Sequence, residues 1–202
     1  MTRPIIPIRA GDPATGPPPY GGLGLDFWVH GATFLEYVEA AGAQRAAIEA
    51  AFRAVELPAD LQAYFTGCRR RGRVAALASL DAPDAPFVLA HAERLLTLTA
   101  GLWMRIFLVD GAADVHRRLA PGHPLPHLVI FGEDRREVGR WGPRPQRLEE
   151  ELHGLGSEAR AAHAARFYAE SRGVDLAREL RAVLETPPAA EPEPPRPDRG
   201  TG

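Results

Sequence analysis

The spacing of apolar and polar residues changes several times along the chain, and each change marks an element. From Phe34 the apolar positions Tyr37, Val38 and Ala41, then Ile48, Phe52 and Val55, recur every three or four residues, which predicts helix with a break at Gly42. Thr33 followed three residues later by Glu36 has the form of a capping box and sets the helix start. Leu57-Pro58-Ala59-Asp60 closes that run and opens a second helix carrying Leu61, Tyr64 and Phe65, because proline is accepted in a first helical turn and not in an interior. Val74 to Ala78 is a short unbroken apolar run, the mark of a buried strand. A loop over Leu80 to Pro86 leads into a helix from Phe87 to Thr99 with Asp84 as its N-cap, and Trp103 to Val109 forms a second buried strand stopped by Asp110-Gly111.

Strand, helix, strand predicts a right-handed βαβ unit with parallel strands. A short helix, Ala112 to Leu119, follows; strands His127 to Phe131 and Glu137 to Trp141 then flank the turn Gly132-Glu133-Asp134 as an antiparallel hairpin. Helices are expected over Pro145 to Leu155, Ser157 to Ser171 with Ser157 as N-cap, and Val174 to Glu185, the last two parted by Gly173. The faces formed by Ala161, Ala165 and Tyr168, and by Leu176, Leu180, Val183 and Leu184, are expected to pack onto the central domain. Proline and glycine concentrate at both ends, which predicts disorder over residues 1–27 and 187–202 around a helical arm (28–72), a core (73–156) and C-terminal helices (157–186).

Composition narrows the function classes. The 202 residues are 45% hydrophobic and 25% charged, as in ordinary globular proteins. With 24 basic against 26 acidic residues the formal charge is -2, without the basic excess that marks nucleic-acid binders. Every basic residue is arginine, so Schiff-base chemistry on lysine is excluded. The single cysteine, Cys68, excludes an intramolecular disulfide and a dithiol redox pair within one chain. Apolar stretches fall short of the roughly 20 residues needed to cross a bilayer, and the N-terminal one is interrupted by prolines, so a cytoplasmic protein without membrane contact is expected.

Three segments carry a more specific signal: Arg105-Ile106-Phe107-Leu108-Val109-Asp110, Leu125-Pro126-His127-Leu128-Val129-Ile130-Phe131, and Gly139-Arg140-Trp141-Gly142-Pro143-Arg144-Pro145. Together with the element order and the arm beginning Phe34-Leu35-Glu36-Tyr37, they resemble a bacterial thioredoxin-like family over roughly residues 28–186. The resemblance implies an α/β thioredoxin-like fold, a central mixed sheet of about four strands flanked by helices, with extra N- and C-terminal helices. Members usually carry a Trp-Cys-Gly-Asp-type sequence at the turn after the first strand, where this chain has Asp81-Ala82-Pro83-Asp84. By that resemblance the attacking cysteine corresponds to Ala82 and a second cysteine to Ala85, and a methyl group cannot replace a thiolate in disulfide exchange. It also implies that Pro126 is the cis-proline beside the active-site turn, with Leu125 offering its backbone to an extended peptide and Trp141 nearby.

The remaining candidates are weaker. Asp84 can either cap the helix or occupy the anion site at its N-terminus; with Asp81 it forms a possible acid–base pair that lacks a nucleophile. Cys68 lies before the first strand, next to Arg69-Arg70-Arg71, whose charges would favour its thiolate. His91, His116, His123 and His127 lack the spacing of a metal site, and neither metal nor cofactor is expected. Arg69 to Arg73 holds four arginines without interleaved aromatics, the pattern of a solvated loop. The leading expectation is a redox-inactive module that binds an unidentified protein or peptide beside Pro126. The alternatives are a monothiol oxidoreductase or thiol-ligand carrier working through Cys68, and an idle groove with the helical arms as the interaction surface.

Overall fold

The computed structural model describes residues 25–109 and 113–186. Most of the two termini expected to be disordered (1–24 and 187–202), the Asp110-Gly111 stop and Ala112 lie outside the described residues. Helical structure begins earlier than the boundary after residue 27: Leu25–Val29 forms α1, held by Trp28, which is buried edge-on against Phe107 and Phe131. Then come α2 (Phe34–Ala40) and α3 (Arg45–Ala54), separated by a single 3-10 turn at Gly42–Gln44. Gly42 has φ +53°, a conformation that costs a residue with a Cβ and breaks the helix at that point. The capping box forms as expected: Glu36 N–H donates to Thr33 Oγ1, and Thr33 N–H donates to the Glu36 carboxylate at 2.7 Å.

After α4 (Ala59–Gly67), strand β1 (Gly72–Ala78) runs through the sheet centre, crosses over through α5 (Ala85–Leu96) and pairs in parallel with β2 (Leu102–Leu108). Helix α6 (Ala113–Leu119) leads to β3 (His127–Gly132), antiparallel to β1, and β3 turns into β4 (Glu137–Trp141). The strand order is β2-β1-β3-β4, the mixed sheet of a thioredoxin-like fold. Along β1 the side chains alternate between two cores. Val74, Ala76 and Ala78 face α3, α5 and the C-terminal helices, whereas Ala75 and Leu77 face Trp28, Phe107 and Val115. This double burial explains why β1 reads as an unbroken apolar run.

Several boundaries differ from expectation. Helix α5 starts at Ala85 and stops at Leu96, before Thr99, because the Thr97 and Thr99 hydroxyls donate back to the carbonyls of Arg94 and Leu96. Helix α7 is Gln146–Leu152, and the chain then turns through Gly154 at φ +80°, short of Leu155. In α8 (Ser157–Ser171) the cap position belongs to Gly156, and Ser157 is the first helical residue with no capping bond. Ala161 and Ala165 are exposed; α8 meets the core near its C-terminal end through Phe167 and Tyr168, since alanines have little surface to bury. Helix α9 (Val174–Glu185) packs as expected, with Leu176, Leu180 and Leu184 buried. It approaches β4 so closely that a Cβ on Gly139 would lie 2.6 Å from Val183 Cγ1.

Candidate functional site

The C-terminal end of β1 opens into two successive tight turns, in which Ala82 N–H donates to the Ser79 carbonyl and Ala85 N–H to the Ala82 carbonyl. Asp81 and Pro83 are exposed, Ala82 is half-buried, and Asp84 and Ala85 are buried at the start of α5. Asp84 occupies the N-cap position, yet its side chain makes no capping bond. It is 2% exposed, forms an ion pair with Arg144 Nη2 at 2.7 Å and accepts the Tyr168 hydroxyl at 2.8 Å. The expected cap is therefore a buried three-residue network joining α5, the loop after β4, and α8. Burial, followed by the Asp84 charge, pushes the Tyr168 hydroxyl far above the ordinary tyrosine range, which keeps it a donor. Arg144 also reaches Glu149 at 3.4 Å. Asp81 is not drawn to Asp84, and with its exposed carboxylate no acid–base dyad forms.

Beside the turn the Leu125–Pro126 peptide bond is cis, as is Gly142–Pro143. Pro126 is buried and Leu125 half-buried. Neither the N–H nor the C=O of Leu125 has a hydrogen-bond partner among the described residues. Gly142, at φ +133°, lies over this loop, and a Cβ there would come within 2.5 Å of the Pro126 carbonyl oxygen. A groove of about 450 Å³ runs alongside, walled by Pro124, Trp141, Gly142, Pro143, Arg144 and Gln146. Trp141 is buried rather than an open platform: its indole N–H donates to Glu179 Oε2 at 2.6 Å, and Glu179 Oε1 accepts the Gln146 N–H at 2.8 Å. The groove's charged walls are thus paired internally, Arg140 with Glu137 and Arg144 with Asp84.

His127, at the start of β3, is buried rather than on the rim, and neither ring nitrogen has a hydrogen-bond partner. Its ring stacks on His123, whose carbonyl is 2.8 Å from His116 Nε2. Burial, then the charges of His123, Arg140 and His116, lowers the His127 pKa to about 4, so the ring is neutral. His91 is elsewhere, buried in α5 beside Tyr168. Among the described residues no group of three or more metal-ligating side chains converges. Cys68, half-buried, caps the C-terminus of α4 before β1, whereas the turn follows β1; a seven-residue strand at about 3.3 Å per residue separates them by roughly 20 Å. The sequence pattern assigns Arg144 and Glu179 no role and Tyr168 only a packing one. Arg144 stood inside a noticed motif without a role, and no spacing signal links Asp84 to residues 60 and 84 positions further on.

A mixed four-stranded sheet with a parallel crossover, a helix starting at the strand end and a cis-proline before the hairpin defines a thioredoxin-type protein. A family model described as Thioredoxin matches residues 31–161, and the chain belongs to that family. A protein of unknown function from Pseudomonas aeruginosa, solved by crystallography, is similar at 22% identity and TM-score 0.65, over 78% of this chain and 94% of that one. An HIV epitope scaffold is similar at 21% identity and TM-score 0.63, over 79% and 96%. At these identities the likeness concerns the fold. No curated protein matches the sequence. Among the described residues no helix is long and apolar enough to cross a membrane.

Proposed function

We propose that the protein is a redox-inactive thioredoxin-family module that holds an extended peptide, or an extended segment of another protein, in the groove beside Pro126. The observation that carries this reading is the unpaired backbone of Leu125 next to the groove. Backbone N–H and C=O groups without a protein partner are open to an extended peptide, which pairs with both by adding a strand. The internally paired charges leave Pro124 and Pro143 as the contact surface, which suits a segment of low net charge. Selection of a random peptide library displayed on phage is expected to enrich extended sequences on the full-length protein. Enrichment is lost on Pro124→Asp, an exposed change that leaves the core intact. Equal enrichment on both proteins, or none on either, overturns the reading.

Redox inactivity rests on Ala82 at the turn and on Cys68 at the far end of β1. The expected rate of insulin reduction with dithiothreitol is that of the dithiothreitol blank, for wild type and for Cys68→Ser alike. Activity above the blank that disappears in Cys68→Ser would instead establish a monothiol enzyme.

A further inference from the structure

At the end of the sheet opposite the groove, Arg69 to Arg71 form the expected loop, and Arg73 departs from it. Gly72 and Arg73 are already part of β1, and Arg73 projects on the same face as Ala75 and Leu77. Its strand neighbours at that level are Trp103 on β2 and Phe131 on β3. Aromatics absent from the local sequence are thereby supplied in space: the Arg73 guanidinium lies 5.5 Å from the Trp28 ring centroid and 4.9 Å from that of Trp103. Arg73 has no hydrogen-bond acceptor or carboxylate among the described residues, and its Nη1 is sealed from solvent without a partner.

The same residues line a cavity of about 330 Å³, together with Arg71, Glu133 and Arg135. Glu133 is committed to Arg71 at 3.4 Å. Arg135, in the β3–β4 turn at φ +65°, presents a side chain that makes no ion pair among the described residues. Arg71, Arg73 and Arg135 thus line one cavity with a single carboxylate, Glu133, which is paired with Arg71. A cation in a central strand is unfavourable without a partner, and the rings satisfy its charge only in part. Guanidinium groups match oxyanions in geometry and in charge-assisted hydrogen bonding, and two of them complement a dianion.

We propose that this cavity binds the dianionic phosphate of a small phosphomonoester through Arg73 and Arg135, with the ester's apolar body against Trp28 and Trp103. The site is independent of the peptide groove, since the two share no lining residue and lie at opposite ends of the β3–β4 hairpin.

Phenyl phosphate is the probe, titrated into the full-length protein at constant ionic strength set with sodium chloride and followed by tryptophan fluorescence and by the shift in Tm. A saturable change that inorganic phosphate displaces is expected. Arg73→Gln and the exposed-turn variant Arg135→Gln each weaken binding about tenfold or more, as loss of one charged hydrogen-bonding partner implies. A response no greater than that to chloride, or variants binding within twofold of wild type, overturns the proposal. Benzoate binding as tightly as phenyl phosphate overturns the assignment to phosphate.

Discussion

Asp84→Ala is expected to lower the free energy of unfolding by about 3–5 kcal/mol, the cost of breaking a buried ion pair by removing one partner. The magnitude separates two roles for the residue. Loss of a helix cap costs about 1 kcal/mol, and the missing cap bond in the structure already argues against that role. Removing Asp84 leaves the Arg144 guanidinium, mostly shielded from water, with only the more distant Glu149, and leaves the buried Tyr168 hydroxyl without its acceptor. For a chain of this length the effect corresponds to a fall in Tm on the order of 10 °C. Tyr168→Phe alone removes one partner and costs about 1–3 kcal/mol. The double variant costs less than the sum, because the two residues share one bond. Urea denaturation of the four proteins measures all of this, and an Asp84→Ala loss of 1 kcal/mol or less would return Asp84 to a simple cap.

The same network shows why the fold was readable in the sequence and the site only in part. Elements follow from local periodicity, so the β1 run, the capping box at Thr33 and the hairpin strands fall where the pattern puts them. The cis bond before Pro126 was legible because Pro126 sits in a contiguous segment that resembles a family. Side chains that meet across the fold leave no such trace. Tyr168 reaches Asp84 only because α8 crosses the start of α5, and its neighbours Ala161 and Ala165, which suggested a helical face, are exposed. Arg73 belonged by sequence to a charged loop and by register to a strand, and only pairing with β2 and β3 places it among Trp28, Trp103 and Phe131. Charge runs record composition, whereas partners are set by topology.

Topology also sets the pH at which the molecule loses stability. His91 and His127 are buried and held neutral, both with pKa values lowered to about 4, chiefly by burial. In the unfolded chain each titrates near 6.5, so between about pH 6.5 and pH 4 the unfolded state binds protons that the folded state does not. Stability is therefore flat with respect to these residues above pH 7. It falls as the pH drops through 6.5 and stops falling on their account below about 4. Each contributes a loss on the order of 3 kcal/mol across that window, and together they approach the whole stability of a typical domain. His127 is the more telling of the two because His123, Arg140 and His116 add to the cost of charging it, whereas at His91 burial acts alone. Urea denaturation of wild type as a function of pH is expected to show a slope near pH 5 that exceeds that of His127→Leu by about 1.4 kcal/mol per pH unit, one proton's worth. Identical slopes for the two proteins would mean that His127 is charged in the folded state, and its unpartnered ring nitrogens would then require a solvent path that the β3 packing closes.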